Sequence, residues 1–283
     1  MTKTVTQAVE ELVRATVGLS DEDMGRAWEW GEYKEEGLRF ALLMTHHELR
    51  DLAVRLAARR EREPSQAGRI LGQYHQAYRD LTGVLAAMRT EDLDRIPAEG
   101  EWPLRETLGH LLGTEYAFLT VNRFGLERRR AGKTGEPPDE EWNAFRAPFA
   151  AARDAALTRL DTAAIEGIRN AFFDVHVRVL RELGDISDAE IEAEAWFWDG
   201  AMPLRFRLHR FEEHLRQHTV QLDKTLAAIG RAPTEAQRLV RNVYNALAEV
   251  EIGPALDEEL RAPFADAISQ RASALDRDRV AQG

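Results

Sequence analysis

The sequence predicts an all-α fold, and three observations support this prediction. Ala, Leu, Glu and Arg dominate the composition, and all four are good helix formers. Apolar residues recur at helical spacing, as in the stripe formed by Leu104, Leu108, Leu111, Leu112 and Tyr116. No run of alternating Val, Ile and Thr bounded by turn residues predicts a convincing strand.

Local signals place the helix boundaries along the chain. Ser20 and the acidic residues after it are typical of an N-cap and first turn, and Pro103 and Pro203 stand where a first-turn proline is preferred. The stretches around Pro64 and over 131–138 read as linkers because they carry Pro or Gly. Helices are predicted at 3–18, 38–61, 66–89, 103–130, 140–184 with an interruption near Asp161, 203–229, 235–250 and 255–279.

A helix–loop–helix unit occurs three times in the sequence. LSDEDMGRAWEW from Leu19 matches ISDAEIEAEAWFW from Ile186, and both copies restart as Leu-Arg-Phe-x-Leu, at 38–42 and 204–208. A fainter copy runs from Glu91 into Trp102-Pro-Leu-Arg. The unequal spacing of the copies argues against the alternative of a solenoid.

Antiparallel helix pairs of this length normally close into a four-helix bundle, and three such pairs with a C-terminal pair exceed one bundle. We therefore predict three parts. An N-terminal helical hairpin occupies 1–65, a helical bundle occupies 66–232, and C-terminal helices that pack on the bundle occupy 233–283.

Composition excludes several function classes. Lys and Arg total 38 against 49 Asp and Glu, a net charge of −11 that argues against nucleic acid as a partner. The chain has no Cys, which excludes disulfides and thiolate metal sites. No uncharged stretch approaches the ~20 residues that span a bilayer, and no secretory signal is visible, so we expect a cytoplasmic protein without a membrane partner.

Two histidines form a candidate metal clamp. His214 and His218 stand four residues apart on a predicted helix, so both imidazoles project from the same face. Chance pairs of this kind are common, and a third ligand from another helix is needed. His110 lies on the apolar stripe between Leu108 and Leu111, where a hydrogen-bonded core histidine is the alternative interpretation.

The run Trp102-Pro-Leu-Arg-Glu-Thr-Leu-Gly-His110-Leu, followed by His214-x-x-x-His218-x-x-Gln221, resembles the DinB superfamily over about 66–230. The resemblance implies a four-helix bundle in up-down-down-up order. It also implies that His110, His214 and His218 hold a divalent metal ion near one end of the bundle. Members of this family are similar to transferases and isomerases that use a low-molecular-weight thiol.

Two functions follow from this resemblance as expectations. The first is a metal-dependent enzyme of the S-transferase or isomerase type, acting on a small-molecule substrate together with a low-molecular-weight thiol. The second is a non-catalytic helical module for binding or stress response, with a structural or vestigial metal site. Three histidines accept zinc, nickel or iron, so the metal is left open. A homodimer through the N-terminal hairpin is a further expectation.

Two side chains are candidates for a supporting or catalytic role. Glu115, five residues after His110, is a candidate general base or acceptor behind a ligand; a carboxylate on the helix surface is the simpler alternative. Gln221, three residues after His218, is a candidate for orienting a water molecule, and capping of the core is its alternative.

Overall fold

The computed structural model describes residues 3–30, 33, 36–253 and 257–282, with side chains up to residue 277. Within these ranges it contains ten α-helices, a short 3₁₀ turn at Thr90–Asp92 and two β-strands. The elements are α1 (Val5–Thr16), α2 (Asp21–Met24), α3 (Arg39–Ala58), α4 (Gln66–Ala87), α5 (Leu104–Arg130), α6 (Asp139–Leu160), α7 (Ile165–Leu183), β1 (Glu194–Phe197), β2 (Gly200–Pro203), α8 (Leu204–Ala228), α9 (Glu235–Ile252) and α10 (Glu258–Gln282).

The predicted all-α class is confirmed, and the boundary signals explain where several helices begin and end. Ser20 caps α2 through a reciprocal capping box with Asp23. The predicted interruption near Asp161 is confirmed, since α6 ends at Leu160 and Asp161 is its C-cap. The predicted start of the last helix at residue 255 lies outside the described residues.

The expectation that the chain has no strand is wrong at one place. β1 and β2 form an antiparallel hairpin in which Phe197 pairs with Gly200, and Gly200 takes a φ of 93°. Each strand has four residues, too few for a periodic signal. In the first copy of the repeated unit, an isolated antiparallel bridge joins Trp30 and Tyr33 in the equivalent loop.

The chain divides into two compact units. The first combines Met1–Arg62, Arg79–Ala87 and Ala232–Gly283, and the second combines Glu63–Tyr78 and Met88–Arg231. Helix α4 contributes its first part to the second unit and its last part to the first. This division groups the N-terminal helices with α9 and α10; the three-part division drawn from the sequence stays a prediction.

The first unit is built from helices that are distant in sequence. Helix α1 packs on α10, and α3 packs on α9. Arg271 of α10 is fully buried, where its guanidinium donates to both carboxylate oxygens of Glu48 at 2.9 and 3.0 Å and to the Thr45 hydroxyl. The shared apolar core includes Leu12, Leu49, Leu52, Val243, Leu247 and Ile268.

The second unit is a helical bundle centred on α5, which packs against α6, α7, α8 and β1. The hairpin is fixed to α8 by Arg207, which is 4% exposed. Its guanidinium donates to both oxygens of Asp199 at 2.6 and 3.0 Å and to the Gly200 carbonyl at 2.8 Å. Among the described helices, none is both long and apolar enough to cross a membrane.

Candidate metal centre

Three imidazoles from two neighbouring helices meet at one point of the second unit. His110 comes from α5, while His214 and His218 come from successive turns of α8. The Nε2 atom of His214 lies 3.2 Å from Nε2 of His110 and 3.1 Å from Nε2 of His218. Within the described ranges, these three side chains form the whole cluster of metal-ligating groups at this position.

The cluster is buried on one side and open on the other. His214 and His218 are each 7% exposed, and the ring of Phe118 packs edge-on against His214. His110 is exposed, and the exposed indole of Trp102 lies beside it with ring centroids 5.5 Å apart. The cluster therefore faces solvent on the side of His110.

The surroundings favour the neutral form of two of the imidazoles. Burial lowers the pKa of His214 to about 3, and the neighbouring His218, His110 and Arg210 act in the same direction. Burial also lowers the pKa of His110, with a further contribution from His218. Neutral imidazole is the form that binds a metal ion, so these shifts favour the ligating form of His214 and His110.

The donor set fits a single divalent ion. Three nitrogens bound to one zinc ion at about 2.0–2.1 Å in tetrahedral geometry lie about 3.3 Å apart, close to the separations of 3.1 and 3.2 Å. Hydrogen bonding among the rings explains the cluster less well. Nε2 of His214 faces two other ring nitrogens, and one proton on it serves only one of them.

Gln221 lies on the outer side of the cluster. Its Oε1 accepts a hydrogen bond from Nδ1 of His218 at 2.7 Å, which leaves the Nε2 lone pair of His218 facing the other two imidazoles. This contact is the one that an orienting residue behind a metal ligand makes. The predicted role in orienting a water molecule stays a prediction. Nδ1 of His214 is buried and has no hydrogen-bond partner among the described residues.

Glu115 lies in the interior of the bundle, so the alternative of a surface carboxylate is wrong. It is 1% exposed, and its Oε2 accepts a hydrogen bond from the Tyr74 hydroxyl of α4. Burial raises the pKa of Glu115 to about 8. In the described part of the chain, Oε1 has no partner, and no hydrogen bond joins Glu115 to the three imidazoles.

Sequence reasoning missed the contact between Tyr74 and Glu115, although one signal for it was present. Glu115 follows Leu108, Leu111 and Leu112 at helical spacing and therefore continues the apolar stripe of α5. A charged residue on such a stripe is buried against a polar partner. Spacing along one helix does not identify a partner on another helix, which is why Tyr74 was not found.

Comparisons with known proteins agree with this geometry. The sequence model of one family, the DinB superfamily, matches residues 73–222, just over half of the chain. The matched region contains His110, His214, His218 and Gln221. No curated protein and no solved structure gives a significant match to this chain. The chain belongs to the DinB superfamily.

Proposed function

We propose that this protein is a metal-dependent enzyme that acts with a low-molecular-weight thiol, as an S-transferase or isomerase. His110, His214 and His218 would hold the divalent ion, which is zinc, nickel or iron. The observation that carries the proposal is the convergence of three ring nitrogens, in which Nε2 of His214 lies 3.1 and 3.2 Å from the Nε2 atoms of His218 and His110, with His110 exposed to solvent.

In this proposal the ion would activate the thiol, and the protein would hold and orient the ligands of the ion. A bound divalent ion lowers the pKa of a thiol or water that occupies its open position, which makes the thiolate available at neutral pH. Burial lowers the pKa of His214 to about 3 and also lowers the pKa of His110, which favours the neutral, ligating form of both side chains. Gln221 holds the His218 ring in the tautomer that presents Nε2 to the cluster.

A substrate would approach the ion from the exposed side of His110, where it would also contact Trp102. Trp102 is 38% exposed and flanks the His110 ring, so an apolar part of a substrate has an indole face to pack on. The chain has no Cys, so no protein thiol competes for the open position. The assignment of Glu115 as general base stays a prediction, because its contact is with Tyr74 rather than with the cluster.

One observation favours the alternative of a non-catalytic binding or stress-response module. Metal-ligating histidines almost always donate their second ring proton to an acceptor. Nδ1 of His214 has none among the described residues, which suits a site of modest affinity with a structural or vestigial ion. In that case a metal would be bound, if at all, without a coordination position that a thiol can take.

Metal analysis tests the proposal, with one variant and a matched control. His214→Ala removes the central ligand, whereas His209→Ala removes an exposed histidine of the same helix. We expect about one divalent ion per chain in the wild type and in His209→Ala, and a loss of that ion in His214→Ala. Absence of bound metal from wild type reconstituted with zinc, nickel and iron would overturn the assignment.

Cobalt substitution separates the enzyme from the binding module. We expect glutathione, used as the thiol probe, to add a thiolate-to-cobalt charge-transfer band to the spectrum of the cobalt-loaded wild type. A cobalt spectrum that millimolar glutathione leaves unchanged would favour the non-catalytic module.

A further inference from the structure

A cavity further along α5 carries a second inference. We propose that it binds a small carboxylate with a single aromatic ring, of the benzoate class. The cavity lies within the second unit, and its walls are formed by α5, α6 and β1, with contributions from Tyr116, Trp142, Arg146, Phe149, Arg153 and Phe197.

The size of the cavity suits one ring. Its volume is about 170 Å³. An apolar protein cavity of roughly 150 Å³ is known to hold benzene. Four of the side chains that line the cavity are aromatic, namely those of Tyr116, Trp142, Phe149 and Phe197. Phe149 is buried, and Trp142 packs on Phe124 with ring centroids 5.1 Å apart. An aromatic ligand therefore meets aromatic faces and edges, which is a favourable arrangement for rings.

Tyr116 brings a hydroxyl to this aromatic space. The residue is 8% exposed and lines the cavity. A phenolic hydroxyl can donate a hydrogen bond to an oxygen acceptor. A ligand with such an acceptor would therefore find a donor at Tyr116.

The charges at the cavity favour an anion. Arg146 and Arg153 line it, and no carboxylate does. Arg153 pairs with Asp154, whereas the exposed Arg146 donates through Nε to the Asn143 amide oxygen, so its terminal nitrogens are available. A neighbouring cleft of about 350 Å³ shares Arg146 but is bordered by Glu136 and Asp139, which would repel an anion. We therefore expect the carboxylate of the ligand to bind Arg146 from within the cavity that Tyr116 lines, and not from the neighbouring cleft.

This cavity is separate from the histidine cluster. None of the three histidines lines it. The cavity residues on α5 follow His110 by six to ten residues, which is about 9–15 Å further along the helix axis. The benzoate-class site does not depend on a metal ion, and the inference stands whether or not the proposed enzyme activity does.

Calorimetric titration with benzoate tests the inference, with benzyl alcohol as an uncharged probe of the same size. We expect benzoate to bind at least fivefold more tightly than benzyl alcohol. Arg146→Gln should weaken benzoate binding by about tenfold, since it removes a charge-assisted hydrogen bond. Tyr116→Phe should weaken it by a smaller factor. Arg159→Gln, a change of arginine on the same helix outside the cavity, should leave binding unchanged.

Three outcomes would overturn the inference. The first is the absence of benzoate binding to folded wild type, and the second is equal affinity for benzoate and benzyl alcohol. The third is loss of benzoate binding in metal-free His214→Ala, which would place the carboxylate at the histidine cluster instead. Circular dichroism of each variant checks that it is folded, and Arg146→Gln changes an exposed side chain that is not required for packing.

Discussion

Glu115 is a carboxylic acid in the interior of the second unit, where burial raises its pKa to about 8 from an ordinary value of 4.5. The folded protein therefore holds this proton more tightly than the unfolded chain does. The stabilisation is fully present below about pH 4.5 and is lost as the pH rises towards 8. Glu115 therefore makes a pH-dependent contribution to the free energy of unfolding.

Glu115→Gln should remove that dependence, because the amide is neutral at every pH. Between pH 5 and 8 we expect the free energy of unfolding of the wild type to fall by about 3 kcal/mol relative to the variant. Urea unfolding at several pH values measures the difference. The control is Glu106→Gln, an exposed glutamate of the same helix, which should run parallel to the wild type. Parallel curves for Glu115→Gln would contradict the prediction.

Gln221 fixes the orientation of one proposed ligand from behind. Gln221→Ala removes the acceptor of the His218 Nδ1 proton, and we expect metal affinity to fall by roughly 10- to 100-fold without a change in fold. Competition with a chromophoric chelator measures this affinity. Gln217→Ala, an exposed glutamine of the same helix, is the matched control. Equal affinities of the two variants would exclude the orienting role.

The site residues differ in how far the sequence predicts them. The pair His214 and His218 is visible because a spacing of four residues repeats a helical turn. His110 was identified through its motif, and the structure brings it to the pair. For Glu115 the sequence leaves two alternatives, a supporting role at the site and a surface carboxylate, and its place on the apolar stripe is the signal that favours the interior position found in the structure.

At the scale of elements, the approach of the hairpin to α5 depends on one glycine. A Cβ atom built on Gly125 would lie 2.8 Å from Cβ and 3.0 Å from Cα of Ala195 in β1. Contacts this short do not occur between real Cβ atoms, so a larger residue must displace the strand. Gly125 therefore permits the hairpin to pack on the helix.

Gly125→Ala should destabilise the protein by about 1–3 kcal/mol, although alanine is the better helix former. Gly113→Ala is the matched control on the same helix. A Cβ at Gly113 would meet Leu157 at 3.6 Å, which is ordinary van der Waals contact, so this variant should be as stable as the wild type or more so. Thermal unfolding compares the two, and equal melting temperatures would contradict the close packing.

Periodic sequence patterns predict the long helices of this protein but not its two short strands. Helices of twelve or more residues give several turns of apolar spacing, and they were predicted. The four-residue strands β1 and β2 were not, because their pairing depends on the turn at Gly200 and on Arg207 binding Asp199 from a different element. Such contacts have no signature within the strands themselves.

At the scale of the whole molecule, the N-terminal helices are part of a core that includes the C-terminal helices. Helix α1 packs on α10 and α3 packs on α9, and residues such as Val243 and Leu247 are fully buried in the resulting core. This arrangement matters for the expected homodimer through the N-terminal hairpin, which stays a prediction. Sedimentation of the full chain is its appropriate test.

Deletion of 1–65 should damage the first unit rather than only remove an appendage. The apolar faces of α9 and α10 would be exposed to water, and we expect aggregation or loss of their hydrogen-exchange protection. Exchange measured by mass spectrometry on the shortened and full chains checks this. A shortened chain that is monomeric, with α9 and α10 protected as in the full chain, would contradict the prediction.

Sequence patterns predict the long helices of the first unit one by one, and they carry no information on contacts between distant helices. The repeated unit indicates which helices are neighbours along the chain, and it therefore favoured a hairpin at 1–65 and a separate C-terminal pair. The pairing of α1 with α10 joins residues at opposite ends of the chain. No local signal encodes a contact of that range.

The discontinuity of the first unit has a consequence for biosynthesis. Met1–Arg62 emerges from the ribosome long before Ala232–Gly283 is synthesised. The segments that form α1 and α3 therefore lack their packing partners α10 and α9 while the second unit is being made. The second unit is nearly continuous in sequence and has its segments together by Arg231. We therefore expect the bundle with the three histidines to fold first during translation, while the exposed apolar faces of α1 and α3 are bound by chaperones.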